Sequence, residues 1–150
     1  TVRGLLGPLK AAKEKGTPIL GICLGAQLLL EKGHEFGEHE GLGFVKGEVV
    51  KFPPMPAGVT IPAIGWQEVV PQSGGQADAL FKGITNPFFY FVHSYVLMPP
   101  KSDVQAVTTY GGYEYCAAVG EGNVYGVQFH PEKSSDAGLT LLNNFVSLIK

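Results

Sequence analysis

Charge is scarce in this chain. Only 16% of its 150 residues are Asp, Glu, Lys or Arg, and the formal net charge is −2. Without a basic surplus there is no electrostatic footprint for nucleic acid or for an anionic membrane surface. Cysteine is scarcer still. Cys23 and Cys116 are the whole complement, too few for a disulfide framework. Unpaired thiols fit a reducing compartment, and no secretory pattern opens the sequence, so a cytoplasmic protein is expected. No apolar run is long enough to cross a bilayer, and there are no repeats or interdomain linkers. What is plentiful is hydrophobic side chains, at 45%, together with 21 glycines and 11 prolines. That mixture describes a globular core with many tight turns, and the length suits one domain.

The periodicities describe an α/β chain. A helix is expected from Pro8 to Lys15, started by its proline and stopped by Gly16. The run Pro18 to Ile22 is apolar without alternation, as in a strand covered on both faces. Leu24 to Lys32 reads as a helix and 34–41 as a polar loop. Phe44 to Phe52 reads as a strand, and the proline-rich stretch 53–62 as a loop. Further strands are expected at Trp66–Val70 and over the aromatic run Phe88–Met98, with a helical turn between them at Ala79–Ile84. Val104–Tyr110 and Tyr113–Val119 form a hairpin across Gly111-Gly112, whose glycines supply the positive φ angles of such a turn. A strand at Val124–Phe129 follows. The last element is a helix from Asp136 to Ile149, capped by Ser134, Ser135 or Asp136, with a core stripe of Leu139, Leu142, Phe145, Val146 and Ile149. A domain of this kind should open on a strand, yet Thr1 enters a helix-like segment directly. The expectation is therefore a mixed sheet flanked by helices that lacks its N-terminal strands.

The chemistry concentrates in two places. Gly21-Ile22-Cys23-Leu24-Gly25 lies between the expected strand and helix, as a nucleophile elbow with sulfur in place of the serine oxygen. Such a turn is so tight that a Cβ at either flanking glycine should collide with its neighbours, and the helix N-terminus should favour thiolate over thiol. A hundred residues on, His130-Pro131-Glu132 follows an apolar strand. Residues two apart in a strand point the same way, so Glu132 can orient the His130 imidazole and stabilise its charged form. Cys23 then attacks, His130 moves the proton and Glu132 orients. The reading requires the Cys23 sulfur and the His130 ring within hydrogen-bonding reach. The order nucleophile, histidine, acid differs from that of the α/β-hydrolases, which argues against an ordinary esterase.

Gly21-Ile22-Cys23-Leu24-Gly25-Ala26-Gln27, taken with Gly126-Val127-Gln128-Phe129-His130-Pro131-Glu132-Lys133-Ser134, resembles the triad (class I) glutamine amidotransferases. Their fold is a flavodoxin-like mixed sheet. Within them, Phe89-Tyr90-Phe91-Val92-His93-Ser94-Tyr95, the Glu40-Gly41-Leu42-Gly43 turn and Gly65-Trp66 are similar to the glutaminase subunits of imidazole glycerol phosphate synthases. The resemblance implies hydrolysis of L-glutamine to glutamate and ammonia through a cysteine thioester, with no cofactor and no metal. It implies that ammonia passes to a (β/α)₈-barrel synthase subunit, which makes imidazole glycerol phosphate and AICAR in histidine biosynthesis, the two subunits forming a heterodimer. It assigns glutamine binding to Gln27, Glu35, Ser94 and Tyr95, an oxyanion donor to the Leu24 N–H, and the partner surface to Trp66, Gln67, Tyr90 and Lys133. A second oxyanion donor would come from a Pro-Gly-Val-Gly-like loop ahead of the first segment, and no such loop occurs in these residues. Where the subfamily commonly has Pro-His-Met-Gly-Trp-Asn, this chain has Pro62-Ala63-Ile64-Gly65-Trp66-Gln67.

Two other readings stand beside this one. One is a glutaminase serving anthranilate or GMP synthesis. The other is a catalytically impaired fragment that acts only as a binding domain. His34, Glu35, Glu38, His39 and Glu40 resemble a metal cluster in composition but not in spacing, and a solvated charged loop is expected. Cys116 and His93 are expected in structural roles, His93 near the pocket.

Overall fold

A computed structural model describes residues 4–150 of the chain, so the opening of the helix-like first stretch lies outside the described residues. The first helix, α1, spans Leu6–Glu14 and stops before Gly16, whose φ of 78° no helix continues. The strand β1 (Ile19–Ile22) and the short helix α2 (Leu24–Leu28) flank Cys23. Then come β2 (Lys32–Gly33), β3 (His39–Glu40), β4 (Glu48–Lys51) and β5 (Ala63–Pro71). After α3 (Gln76–Leu80) follow β6 (Phe88–His93) and β7 (Tyr95–Met98). The hairpin β8 (Val104–Tyr110) and β9 (Tyr113–Glu121) leads to β10 (Val124–Val127), a 3-10 turn at Pro131–Lys133 and α4 (Ser135–Val146).

The strands form one mixed sheet in the order β3-β2-β4-β7-β9-β8-β5-β6, with β10 added to β9 and β1 added to β10. The β1–β10 pair is parallel, and its register sets Gly21 opposite Gly126. These two glycines fix where α2 sits. A Cβ on Gly21 would lie 2.6 Å from the Gly25 carbonyl, and one on Gly126 would lie 3.1 Å from the Cβ of Ala26. The helix therefore lies almost on the backbone of both strands, and Ala26, Leu29 and Leu30 are buried beneath it. A second, more aromatic core gathers Phe89, Phe91 and Phe129, with Phe89 and Phe129 ring centroids 4.2 Å apart.

Several expected boundaries move, each for a non-local reason. The helix expected to Lys32 ends at Leu28, because the returning chain takes its last carbonyls. Leu42 N–H donates to Leu28 O at 2.8 Å, Phe44 N–H to Leu29 O at 2.9 Å and Gly43 N–H to Leu30 O at 3.1 Å. Those same bonds keep residues 44–45 out of a strand, so β4 begins at Glu48 rather than Phe44. The aromatic run does not form one strand. It breaks at Ser94, where β6, paired to β5, gives way to β7, paired to β4 and β9. The helical turn expected at Ala79 begins earlier, at Gln76. In α4, which ends at Val146 rather than at the expected Ile149, the buried positions are Gly138 and Leu141, while Leu139, Val146 and, beyond the helix, Ile149 are exposed, so the stripe is rotated from the expected one. Gly138 sets that rotation: a Cβ there would lie 1.8 Å from the Pro131 carbonyl oxygen. No side-chain cap closes α4, because the Ser134 hydroxyl donates to His130 O at 2.5 Å and accepts from Tyr90 N–H at 2.9 Å.

Candidate active site

Parallel strands β1 and β10 end together, and α/β sheets assemble their sites at the carboxyl ends of such strands. Cys23 follows β1 directly. Its N–H donates to Val127 O at 2.8 Å, and its φ of 52° with ψ of −105° is a conformation side chains rarely adopt. This is the strained elbow the sequence predicts. Only one of the two flanking glycines is sterically required. Gly21 is pressed against the Gly25–Ala26 backbone, whereas a Cβ on Gly25 would meet nothing within 4 Å.

His130 lies just past the end of β10 and is bridged to β6, its N–H donating to Tyr90 O at 2.9 Å. Its Nδ1 is 2.5 Å from Glu132 Oε1. The pair meets as predicted, by a different route: residues 131–133 form a 3-10 turn that swings the carboxylate back to the ring. With Nδ1 engaged, Nε2 is the ring atom left to exchange protons.

The thiol differs from expectation in two respects. Its hydrogen bonds go to Val92 O at 3.9 Å and from Gln128 Nε2 at 3.7 Å, and among the described residues no hydrogen bond joins it to His130. Val92 and Tyr90 are two residues apart on β6, so the Cys23 sulfur and the His130 main-chain N–H bond to the same strand about 7 Å apart along it. The thiol is also pushed above its ordinary value of 9.0 rather than below it. Burial is the main cause and outweighs the lowering by the Leu24 amide, by the Gln128 side chain and by Lys133; the Glu132 charge adds to the rise. The five-residue α2 is too short to reverse that balance.

A cavity of about 300 Å³ opens at the sulfur, lined by Cys23, Leu24, Gln27, Glu35, Pro62, Val92, His93, Ser94 and Tyr95. All four residues assigned to glutamine binding are among them. Ser94 reaches the cavity because the β6–β7 break lies there, and its carbonyl is held by the Phe52 N–H at 3.2 Å. Leu24 opens α2, so its N–H has no acceptor within the helix and is directed at the Cys23 sulfur, beside the place where a ligand would sit. His130 and Glu132 are not part of this lining.

His93 is structural, as expected. Its Nδ1 is 2.7 Å from Tyr95 O and its Nε2 is 3.0 Å from the Tyr115 hydroxyl. Burial lowers it to about 4 from 6.5, so the ring stays neutral. Against the Tyr95 carbonyl, Nδ1 carries the ring hydrogen and Nε2 accepts. The Tyr115 hydroxyl also lies 2.9 Å from Gln67 Oε1, and Gln67 Nε2 is buried with no partner among the described residues. One hydroxyl hydrogen cannot serve both acceptors. Turning the Gln67 amide end for end lets its NH₂ donate to Tyr115 and to Thr108 Oγ1. Cys116 is buried too, pushed up to about 12 by desolvation, with its sulfur 3.2 Å from Ala118 O. The 32–40 segment carries a Lys32–Glu38 ion pair at 2.8 Å and a His34–Glu48 contact at 3.3 Å. It is not wholly a loop, since His39–Glu40 forms β3.

The glutamine amidotransferase class-I family model matches residues 1–148. The chain belongs to the class-I glutamine amidotransferase family. Among curated relatives, imidazole glycerol phosphate synthase subunit HisH of Moorella thermoacetica is 44% identical over 99% of this chain and 68% of its own length. The protein of the same name from Salinibacter ruber is 46% identical over 97% of this chain and 68% of its own length. Among solved structures, PurLQS from Thermotoga maritima superposes with a TM-score of 0.69 at 20% identity, covering 97% of this chain and 68% of that one, a likeness of fold.

For a class-I amidotransferase of this subgroup the sequence assigns four residues to a partner surface. Trp66 is 52% exposed and meets Tyr90 edge to face at 6.1 Å, and Lys133 is exposed on the 3-10 turn. Gln67 is a correction. It alternates with Trp66 along β5, so its side chain enters the core, 8% exposed, and cannot face a partner. The sequence reading gave Gln128 and Val92 no role, though both touch the sulfur. Gln128 stands inside the quoted motif, but an amide in an apolar strand end carries no local sign of what it faces.

Proposed function

We propose that this chain is the glutaminase component of an imidazole glycerol phosphate synthase, hydrolysing L-glutamine at Cys23 and delivering ammonia to a (β/α)₈-barrel synthase subunit in a cytoplasmic heterodimer. The observation that carries the reading is the cavity in which a strained, partly exposed cysteine shares its walls with Gln27, Glu35, Ser94 and Tyr95. The identity of the relatives supports the choice of synthase over anthranilate or GMP synthesis.

In this reading His130 Nε2 takes the proton of the Cys23 thiol, and the thiolate adds to the carboxamide carbon of bound glutamine. The oxyanion that forms receives the Leu24 N–H. The carbon–nitrogen bond then breaks as His130 Nε2 protonates the leaving nitrogen, giving ammonia and a glutamyl thioester. The same imidazole takes a proton from water, which attacks the thioester carbon and releases glutamate and the thiol. Glu132 holds Nδ1 and stabilises the transient imidazolium. Glu35 offers a carboxylate for the substrate α-ammonium, and Gln27 with the Ser94–Tyr95 backbone offers polar contacts. Catalytic hydrogen bonds are often long in unliganded sites and tighten on binding, so the missing thiol–imidazole bond does not count against the pair.

Glutamate release from glutamine, measured with the barrel subunit present, tests the reading. Cys23→Ala is expected to lose all measurable turnover while keeping its fold. Turnover persisting in that variant would overturn the assignment. Co-purification with an anthranilate or GMP synthase in place of the barrel would replace the synthase assigned here.

A further inference from the structure

We propose that Gln128 is a further catalytic residue of this site: its amide donates to the Cys23 sulfur and holds it as thiolate, and Gln27 sets the direction in which that amide points. The proposal rests on the reading of Cys23 as nucleophile. Gln128 is fully buried, and its main chain is pinned by an N–H bond to Ala117 O at 2.9 Å. A side-chain amide has one accepting end and one donating end. Gln27 Nε2 donates to Gln128 Oε1 at 3.2 Å, which turns the oxygen towards Gln27 and leaves the NH₂ facing the sulfur at 3.7 Å.

The Val92 and Gln128 contacts of the sulfur respond in opposite ways to its ionisation, and the Leu24 amide acts in the same direction as Gln128. The Val92 carbonyl, at 3.9 Å, can only accept, so it suits the protonated thiol and repels the thiolate. The Gln128 NH₂ can only donate, so its bond becomes charge-assisted once the proton leaves. Gln27 belongs to both the amide pair and the wall of the cavity. A ligand that touches Gln27 therefore acts on the group that steadies the sulfur, which links occupancy of the cavity to readiness of the nucleophile.

Other titratable groups act on or line the site of Cys23: Glu132 and Lys133 beyond β10, His93 and Tyr95 at the β6–β7 break, and Glu35 across the cavity. None is altered by a change at Gln128, so a difference between variants reports the amide. The test is the pH dependence of Cys23 alkylation by iodoacetamide in the intact protein, with the adduct located by peptide mass spectrometry. Gln128→Met keeps the volume and removes the donor. It is expected to move the midpoint up by about one pH unit, about a tenfold slower reaction near neutral pH, with the plateau at high pH retained. Gln128→Glu keeps the acceptor for Gln27 and replaces the donor with a carboxylate, and should move the midpoint further. Gln27→Met, which frees the amide to turn, should move it the same way by less. A packing role alone would change the melting temperature and leave the midpoint in place. An unchanged midpoint in Gln128→Met, or in Gln128→Glu should the methionine variant not fold, overturns the proposal. Absence of glutamine turnover in the unmodified protein with its barrel partner would instead count against the glutaminase reading, and the midpoint comparison would still decide the Gln128 contact.

Discussion

Cys23 holds a left-handed backbone at φ 52°, a state that costs on the order of 1–3 kcal/mol for a side chain. Its neighbours maintain it, through the amide bond to Val127 and through a helix pressed onto Gly21 and Gly126. The two elbow glycines should therefore behave differently. Gly21→Ala places a methyl 2.6 Å from backbone and is expected to cost about 3 kcal/mol or more in urea unfolding, at the upper end of overpacking penalties. Gly25→Ala meets open space and should stay within about 0.5 kcal/mol of the parent. His93 makes stability depend on pH. Its folded value is about 4 against 6.5 when exposed, so between these limits the unfolded chain binds a proton that the folded chain does not. Stability should fall as pH drops from about 6.5 to about 4, by up to about 3 kcal/mol, and level off below. Urea titrations across that range should show a shallower slope in His93→Gln.

Among the elements, those with local signals match the sequence reading. The Gly111-Gly112 hairpin and the strand–elbow–helix around Cys23 appear where the turn residues set them. The stretches 28–47 and 88–98 were not legible, because long-range pairing decides them. The first yields its helical carbonyls to a segment 13 to 15 residues later. The second is apolar throughout, so nothing local announces a break at Ser94, although that break is what brings Ser94 and Tyr95 to the sulfur. In α4 the period was legible but the phase was not, because Gly138 rather than a large side chain is pressed against the 3-10 turn at Pro131. The rotated stripe makes a direct prediction. Leu141→Ala empties a fully buried site and should lower stability by about 2–4 kcal/mol, whereas Leu139→Ala, 59% exposed, should change it by less than about 0.5 kcal/mol, both read by urea denaturation.

For the whole molecule, the face of β5 and β6 carrying Trp66 and Tyr90 is the surface proposed for the synthase partner. A half-exposed tryptophan packed on a tyrosine is the kind of anchor that dominates binding. Trp66→Ala is expected to weaken capture of the barrel subunit by about 2 kcal/mol or more, roughly thirtyfold in Kd, while the melting temperature stays close to the parent's. Gln67→Leu should spare that affinity, because its side chain points into the core. The amidotransferase motifs were legible because each is short and contiguous. The cavity was legible only through the family resemblance, which named Gln27, Glu35, Ser94 and Tyr95; Pro62 and Val92 carried no sign of it, because only the sheet brings residues from 23 to 95 together. The central claim is that Cys23 is the nucleophile for glutamine, and covalent trapping with 6-diazo-5-oxo-L-norleucine tests it most directly. The account predicts one adduct per chain, at Cys23, with labelling suppressed by excess L-glutamine and absent in Cys23→Ala. Labelling at another residue, or a Cys23 that stays unmodified in the folded protein with its partner bound, would contradict it.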